Sequence, residues 1–338
     1  MRVRRPPAAP LRFELSRVRA FRFAVQSFSA PNATVWRERA RQAEALGYSA
    51  LHLADHLIGP GPALAATRHP VQELAAVPAM AVAAEVTTTL RVGCRVFCQD
   101  YRHPVMLAKE AATLDLLSGG RLELGLGAGW LRGEYEALGL RFDPAPLRIE
   151  RLAETVAVVK AHLRGEALSF SGKHWKVSGF SGVPKPVQNP LPLMIGGGGR
   201  QILSLAAREA DIVSLNFNNR SGVLGPDGVQ LSTAAETQRK IDWVRAAAGA
   251  RFDALELENG AYFTFVGPNG AAAAEGLGRA LGLTREQMLD HPHALFGEVT
   301  AVCDRLRERR ERFGIHYVTV PDTALNAFAP VVAKLAGS

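Results

Sequence analysis

The stretch Ser118–Trp130, SGGRLELGLGAGW, contains the local pattern that decides the fold. Ser118-Gly119-Gly120 is typical of a tight reverse turn, because glycine adopts backbone conformations that other residues avoid. The turn follows a predicted helix, Val105–Leu117, which Pro104 opens at a first-turn position where proline is tolerated. It precedes a short apolar strand, Arg121–Leu126. Helix, turn and strand in this order predict one unit of an α/β protein with a parallel sheet.

The same alternation of short apolar strands and helices extends along the chain in both directions. The predicted strands are Phe21–Val25, Ala50–Ala54, Leu90–Cys98, Arg121–Leu126, Leu191–Ile195, Asp211–Leu215, Leu255–Val266 and His316–Val320. The predicted helices are one between the cap Asn32 and Gly47, then Val71–Glu85, Val105–Leu117, Arg148–Leu163, Arg200–Glu209, Thr233–Ala248, Val299–Phe313 and Ala324–Leu335. Eight such units are what a closed (β/α)₈ TIM barrel requires, whereas a Rossmann-type open sheet, the alternative, normally has about six strands.

Three insertions interrupt the predicted barrel, which forms one domain from 21 to 338 after a basic N-terminal arm, residues 1–20. The first insertion, 165–182, contains a predicted β-hairpin, Ala167–Phe180. The other two, 216–231 and 267–297, are polar and glycine-rich. They are predicted as long loops, and loops of that length inside a barrel are usually lids or mobile insertions.

Composition and charge limit the class of protein. Hydrophobic residues make up 47% of the 338 and charged residues 21%, so the chain can bury a large core. The net charge of +8 is spread along helices such as Cys303–Phe313, which is typical of solvated helix faces and not of a nucleic-acid site. No apolar run approaches the ~20 residues that cross a bilayer, and no secretory signal is present. Three cysteines, Cys94, Cys98 and Cys303, do not make a disulfide framework, so we predict a cytoplasmic protein.

Two glycine-rich strand ends are candidates for ligand binding, because the active site of such a barrel lies at the C-terminal ends of its strands. After the fifth strand, Gly196-Gly197-Gly198-Gly199-Arg200 leads into a helix. Backbone N–H groups at a helix N-terminus bind phosphate, and an arginine adds bidentate contacts. After the fourth strand, Gly125-Leu126-Gly127-Ala128-Gly129-Trp130 lacks the last glycine of a dinucleotide motif, yet it allows a ligand close to the backbone.

The second strand ends in Asp55-His56, which are the candidate catalytic residues. Histidine exchanges a proton near neutral pH, and the neighbouring carboxylate can fix the tautomer or cap the next turn. His103 is interpreted as a helix cap or a packing residue. The other histidines form no metal-binding pattern, and His291-x-His293 has no carboxylate partner in its segment, so no metal site is predicted.

Taken together, these motifs resemble the bacterial luciferase-like monooxygenase superfamily. The resemblance is carried by Arg102-His103-Pro104, Ser118-Gly119-Gly120-Arg121 and Gly125–Trp130, and again by Pro190-Leu191-Pro192 with Gly196-Gly197-Gly198. It extends from about Phe21 to the end of the chain. Members of that superfamily are TIM barrels that use reduced FMN or the deazaflavin coenzyme F420.

The resemblance also implies roles for individual residues. Asp55-His56 resembles the Asp-His pair that borders the deazaflavin in the F420-dependent branch. A non-proline cis peptide is expected at Arg95-Val96, where an arginine stands in place of a small residue. The implied cofactor-binding residues are Arg95, Val96, Cys98, Gly127, Gly129, Trp130, Gly196, Gly197, Gly198 and Arg200. The lysine and arginine set that sugar-phosphate dehydrogenases of this branch use is not identifiable.

We therefore predict an F420-dependent oxidoreductase that transfers a hydride between F420 and a small organic substrate, with His56 as the acid or base. The nearest alternative is an FMN-dependent monooxygenase of the same fold, which uses reduced flavin and O₂. The alternative from another class is a non-catalytic flavin-binding protein. The resemblance further implies a homodimer, and a flavin or F420 reductase that supplies reduced cofactor.

Overall fold

Eight parallel strands close into a barrel in the computed structural model, which describes residues 19–338. The strands in chain order are β1 Arg22–Gln26, β2 Ala50–Leu53, β3 Arg91–Cys98, β4 Leu122–Gly127, β5 Ala167–Ser171, β6 Lys176–Ser181, β7 Leu193–Gly197, β8 Ile212–Leu215, β9 Glu256–Gly260, β10 Phe263–Val266, β11 Ala294–Gly297 and β12 Ile315–Pro321. The order around the barrel is β1-β12-β9-β8-β7-β4-β3-β2. The prediction of a TIM barrel is therefore confirmed.

Helices surround the barrel and fill its connections. They are α1 Ala33–Ala45, α2 Pro62–Thr67, α3 Ala76–Glu85, α4 Pro104–Leu117, α5 Arg132–Ala137, α6 Ala145–Leu163, α7 Arg200–Glu209, α8 Pro226–Gln230, α9 Ala234–Ala248, α10 Gly270–Leu281, α11 Arg285–Asp290, α12 Val299–Phe313 and α13 Leu325–Leu335. Among the helices of residues 19–338, none is long and apolar enough to cross a membrane.

Local sequence signals explain several element boundaries. The Asn32 side chain accepts a hydrogen bond from the Val35 N–H at 3.0 Å and so caps α1. Gly119 and Gly120 have φ of +68° and +84°, which places the predicted reverse turn between α4 and β4. The predicted hairpin is present as the antiparallel pair β5–β6.

The interior of the barrel contains a thin apolar layer between two charged ones. Ala24, Met194 and Ile212 belong to the apolar layer. Towards the N-terminal end of the strands, Glu123 accepts a hydrogen bond from the Tyr317 hydroxyl at 2.7 Å and pairs with Arg22. The larger hydrophobic core lies between the strands and the surrounding helices. A charge inside the barrel requires a partner, because an unpaired buried ion is costly.

The predicted seventh strand, Leu255–Val266, is wrong as a single strand. β9 ends at Gly260, and β10 leaves the barrel to pair in parallel with β11. A Cβ at Gly260 would lie 2.7 Å from a terminal nitrogen of Arg95, so the glycine at the end of β9 leaves room for this guanidinium.

The predicted loop at 267–297 is also wrong, because this insertion is folded. It contains α10, α11 and β11, which pack around Val229, Leu283 and Met288. A capping box between Thr284 and Gln287 begins α11. The insertion at 216–231 includes the short helix α8.

The helices differ from the prediction in two further ways. The predicted helix Val71–Glu85 begins only at Ala76, and the short helices α2 and α5 have no predicted counterpart. Most of the predicted arm, residues 1–18, lies outside the described residues. Arg19 donates a hydrogen bond to the Asp253 carbonyl at 2.8 Å.

Candidate active site at the C-terminal mouth of the barrel

The barrel brings most of the predicted site residues to the C-terminal ends of its strands. Asp55 and His56 follow β2, and Cys98 ends β3. Gly127 ends β4, and Gly197 ends β7. Because all eight strands run in parallel, these ends meet at one mouth, where catalytic residues of such barrels lie.

His56 is paired with a buried carboxylate, Glu134, at the start of α5. His56 Nδ1 lies 2.9 Å from Glu134 Oε2, and only 1% of Glu134 is exposed. The Tyr101 hydroxyl donates to the same oxygen at 2.6 Å, and the Leu57 N–H donates to Oε1. Burial by itself would raise the pKa of Glu134, but the hydrogen bonds from His56 and Tyr101 lower it. Glu134 is therefore an anion, and it accepts a hydrogen bond from the Nδ1–H group of His56.

This pairing leaves Nε2 of His56 for a ligand, since no hydrogen-bond partner for it is present among residues 19–338. The ring lies 4.1 Å from that of His69 and 5.8 Å from that of Trp130, as centroid distances. His69 donates from Nδ1 to the Pro70 carbonyl at 2.8 Å. Burial and the neighbouring His56 lower the pKa of His69 to about 4, so His69 remains neutral at physiological pH.

Asp55 holds the end of β3 and the segment that follows it, and it makes no hydrogen bond to His56. Its two oxygens accept from both terminal nitrogens of Arg102, at 2.6 and 2.9 Å, and Oδ2 also accepts from the Cys98 N–H at 3.0 Å. This half-buried bidentate pair links the end of β2 to the segment that follows β3. The tautomer of His56 is therefore fixed by Glu134 and not by its sequence neighbour Asp55.

The expected non-proline cis peptide is present at Arg95-Val96. The Arg95 side chain turns into the barrel, where Nε lies 2.9 Å from both oxygens of Glu258. Its terminal nitrogens donate to Gln26, Tyr262 and Asn216 at 3.3, 3.1 and 2.8 Å. Arg95 stands where the resemblance implies a small residue, and the buried Glu258 carboxylate neutralises its charge. The guanidinium donates its hydrogen bonds to side chains of the protein itself.

The third strand explains the glycines of the fourth strand. A Cβ at Gly127 would lie 2.6 Å from Val96 Cγ2, and one at Gly125 would lie 2.1 Å from the Cys94 carbonyl oxygen and 3.0 Å from Val96 Cγ1. A Cβ at Gly129, which has φ of +72°, would collide with the Tyr135 hydroxyl. The glycines of GLGAGW therefore make room for side chains from β3 and α5 as well as for a ligand.

Cys98 and Trp130 differ in their accessibility. The Cys98 thiol is buried and lies 3.2 Å from the Tyr135 hydroxyl, and burial raises its pKa to about 12. Cys98 therefore packs beneath the mouth as a neutral thiol. Trp130 is half-buried beside His56 and His69, and its ring forms part of the mouth.

The glycines after β7 present a helix N-terminus to the mouth. Gly196 and Gly197 belong to the strand, and Gly199 is the cap of the ten-residue helix α7, without a side-chain capping bond. A Cβ at Gly198 would collide with the Phe217 backbone, whereas one at Gly199 would meet no atom within 4 Å. Arg200 is exposed beside them. Uncapped N–H groups facing open space fit an anion such as a phosphate.

Asn216-Phe217 is one of the strand ends at the predicted mouth, but sequence reasoning assigned no role to this opposite side. Phe217, Tyr262 and His293 form a cluster of rings there, beside Asn216. From the sequence, His293 is interpreted only as one residue of the pair His291-x-His293, which forms no metal site and lies in a segment predicted as a loop. Among the described residues, no group of three or more histidine, cysteine, aspartate or glutamate side chains is arranged to hold a metal ion.

A closed α/β barrel whose mouth combines an oriented histidine, an indole ring and an uncapped helix N-terminus has, at the usual place, the features of a ligand-binding site in such barrels. The sequence model of the luciferase-like monooxygenase family matches residues 20–316. The chain therefore belongs to the luciferase-like monooxygenase family, and the resemblance predicted from its motifs is confirmed.

The relatives that match this chain are of two kinds, one named as FMNH₂-dependent and the other as F420-dependent. It is 28% identical over 155 residues to an FMNH₂-dependent dimethylsulfone monooxygenase of Pseudomonas putida, covering 46% of this chain and 39% of the relative. It is 30% identical over 170 residues to an F420-dependent glucose-6-phosphate dehydrogenase of Microbacterium testaceum, covering 50% and 48%. The chain thus spans less than half the length of these relatives.

Solved structures show the same fold at low identity. The F420-dependent tetrahydromethanopterin reductase of Methanopyrus kandleri superposes with a TM-score of 0.73 at 18% identity, covering 94% of this chain and 100% of that one. A long-chain alkane monooxygenase gives 0.72 at 17% identity, covering 94% and 92%. The family thus includes F420-dependent oxidoreductases and flavin monooxygenases, and both kinds resemble this chain to a similar degree.

Proposed function

We propose that this protein is an F420-dependent oxidoreductase that transfers a hydride between F420 and a small organic substrate at the mouth of the barrel. The observation that carries the proposal is the pair of His56 and Glu134, 2.9 Å apart, with Nε2 of the imidazole left for a ligand. Removing a hydride from an alcohol carbon also releases the hydroxyl proton, so the reaction requires one positioned acid or base. A monooxygenase needs in addition an accessible site for O₂.

The residues present fit a deazaflavin phosphate tail and ring. The open space at Gly199 and the uncapped first turn of α7 suit a phosphate. The Val96 side chain, held between glycines, and the half-buried Trp130 offer apolar surface for a ring. We assign Gly196–Gly199 with Arg200 to the phosphate, and Val96, Gly127, Gly129 and Trp130 to the remainder of the cofactor.

The chain itself supplies the proton and the orientation. F420, when bound, supplies the ring carbon that accepts or donates the hydride. His56 Nε2 accepts the hydroxyl proton of an alcohol substrate, or returns a proton to a carbonyl in the reverse direction. Glu134 holds the imidazole by Nδ1 and stabilises its protonated form. Asp55, through Arg102 and the Cys98 N–H, keeps the ends of β2 and β3 together.

The second candidate is an FMN-dependent monooxygenase, which the dimethylsulfone monooxygenase relatives favour. Fluorescence titration of the purified protein with F420 and with FMN distinguishes the two. We expect saturable binding of F420 and weaker binding of FMN. Tight FMN binding with no response to F420 would contradict the proposal. Binding of F420 without turnover of any alcohol or carbonyl acceptor would favour the non-catalytic alternative.

A matched pair of variants tests the phosphate assignment. Gly199 has φ of −103° and open space at its Cβ position, so Gly199→Val fits the fold while filling the proposed phosphate site. Gly225, the cap of α8, also has an extended backbone and open space, so Gly225→Val is the control. We expect the first variant to weaken F420 binding and the second to leave it unchanged. Equal affinities in both would overturn the assignment.

Two partners follow from the family resemblance and are part of this proposal. One is a second copy of the chain in a homodimer, which sedimentation of the purified protein tests directly. The other is a reductase that supplies reduced F420 or flavin. A monomer at micromolar concentration would remove the first of these from the proposal.

A further inference from the structure

Three rings lie in mutual contact on the side of the mouth opposite His56. Phe217 follows β8, and its ring centroid lies 4.9 Å from that of Tyr262 and 4.5 Å from that of His293. Tyr262 and His293 are stacked, with centroids 5.5 Å apart and an interplanar angle of 22°. In the ring of strands, β8 is four strands from β2 in either direction, so the two histidines lie across the mouth from one another.

The orientation of His293 is fixed by backbone groups. Its Nδ1 lies 2.7 Å from the Gly260 carbonyl, which can only accept, so Nδ1 carries the proton. The His293 N–H donates to Nδ1 of His291 at 3.2 Å, and His291 Nε2 donates to the Val229 carbonyl at 2.9 Å. The Asn259 amide donates to the Pro292 carbonyl at 2.8 Å. The imidazole therefore has one tautomer and one position.

Nε2 of His293 is left as a lone-pair acceptor. It has no hydrogen-bond partner among residues 19–338, and only 1% of the residue is exposed. Burial and the neighbouring groups His291 and Lys240 hold the pKa of His293 well below its usual range. Lys240 is itself buried, and its ammonium donates to the Asn216 carbonyl and the Ser232 hydroxyl, both at 2.8 Å. His293 stays neutral beside the Lys240 ammonium.

We propose that His293 is a substrate-binding residue whose Nε2 accepts a hydrogen bond from a hydroxyl or N–H group of a flat, aromatic substrate. This inference rests on the proposed function, since it locates the substrate between His56 and the ring cluster. Phe217 and Tyr262 are half-buried and supply the flat apolar surface that such a ring requires. An unmade hydrogen bond on a fixed acceptor favours a ligand that donates one over an analogue that cannot.

The test compares two probes, 4-ethylphenol and its methyl ether 4-ethylanisole, which differ in a single donor. Their binding is measured by calorimetry on the F420-loaded, FMN-loaded and unloaded protein. We expect the phenol to bind about tenfold more tightly than the ether, the effect of one hydrogen bond of about 1.4 kcal/mol. Equal binding of the two probes, or no measurable binding of the phenol, overturns the proposal.

Two substitutions separate a binding role from a structural one. In His293→Asn, the amide N–H can still donate to the Gly260 carbonyl, but the acceptor at the Nε2 position is removed. We expect unchanged thermal stability and loss of the preference for the phenol. His316→Asn is the control, because Nδ1 of this buried histidine also donates to a carbonyl, that of Gly314 at 2.9 Å, at the other end of the barrel. A phenol preference that persists in His293→Asn contradicts the inference.

Nitrogen NMR of histidine-labelled protein gives a readout that does not depend on activity. The His293 resonances, assigned by their loss in His293→Asn, should show a protonated Nδ1 and a non-protonated Nε2 that shifts when the phenol is added. An Nε2 resonance unmoved at saturating phenol overturns the proposal. Failure of F420 to bind in the parallel titration, with the phenol shift retained, would instead remove the proposed function and leave this site in place.

Discussion

His56 and Glu134 form a hydrogen bond of 2.9 Å at the mouth of the barrel although they lie 78 positions apart in the chain. The carboxylate is almost completely buried and also accepts from Tyr101 and from the Leu57 backbone. It therefore fixes which nitrogen of the imidazole carries the proton and leaves the other for a ligand. The adjacent Asp55, which the sequence presents as the natural partner, is bound to Arg102 instead.

The first prediction concerns this pair. His56→Ala should lower kcat by about 10²- to 10⁴-fold, the usual contribution of a positioned acid or base. Glu134→Gln should lower kcat less, because the imidazole remains but its protonated form loses the carboxylate. Neither change should alter the dissociation constant of F420 by more than a few-fold. Stopped-flow measurement of F420 oxidation or reduction, with a separate binding titration, checks both.

Glu154→Gln provides the matched control for Glu134→Gln. Glu154 also accepts backbone hydrogen bonds, from the N–H groups of Lys173, His174 and Trp175 at 2.7–2.9 Å, but it lies under the β5–β6 hairpin. Its substitution should leave kcat unchanged. If Glu134→Gln and Glu154→Gln had the same effect on kcat, the orienting role of Glu134 would be wrong.

The second prediction concerns the buried ion pair of Arg95 and Glu258. Arg95→Met leaves Glu258 buried without its cation and should lower the free energy of unfolding by about 3–5 kcal/mol. The double variant Arg95→Met with Glu258→Leu should recover much of this loss, because no unpaired charge remains. Urea denaturation of these two variants and of Glu258→Leu alone gives the coupling energy. A loss below about 1 kcal/mol in Arg95→Met would show that the pair is not what holds the barrel interior together.

The sequence predicts the barrel well because its signals are local. Turn glycines such as Gly119 and Gly120, the Asn32 cap and short apolar runs each determine a few neighbouring residues. The positions of Asp55 and His56 follow from the same logic, since a residue after a barrel strand lies at the mouth.

The features that the sequence does not predict depend on contacts between residues that are far apart in the chain. Glu258 pairs with Arg95 across 163 positions, and Asn216 reaches the same guanidinium across 121. Such pairings arise only when the barrel closes, and no local pattern encodes them. The helices in 267–297 had a local signal, the alanine run Ala271–Ala274, but the surrounding glycines obscured it.

The third prediction concerns stability at acidic pH. The pKa of His69 in the folded protein is about 4, below the value of about 6.5 expected in the unfolded chain. As the pH falls from 6.5 to 4, the unfolded state binds protons that the folded state does not, so stability decreases over this window. His291, with a pKa of about 4, acts in the same direction. Each contributes a loss of up to about 3 kcal/mol.

His69→Asn tests this pH dependence, because the amide N–H can still donate to the Pro70 carbonyl while the titratable ring is removed. Urea midpoints measured between pH 7 and pH 4 should fall less steeply in this variant than in the parent protein. His103→Asn, which replaces an exposed histidine that caps α4, should keep the parent slope. Identical slopes in all three proteins would contradict the assignment.

The fourth prediction concerns the contact between Gly127 and Val96. Gly127→Ala places a methyl group 2.6 Å from Val96 Cγ2, and overpacking of this kind costs about 1–3 kcal/mol. Adding Val96→Ala removes the obstructing methyl, so the double variant should regain stability relative to Gly127→Ala.

The control is Gly276→Ala, inside α10, where no atom lies within 4 Å of the added methyl. This substitution should instead stabilise the protein by about 0.5–1 kcal/mol. Thermal and urea denaturation measure all of these, and F420 titration follows the same series, since Val96 lies in the proposed ring-binding surface. A Gly127→Ala variant as stable as the parent would mean that Val96 can move aside, and the proposed surface would then not be preformed.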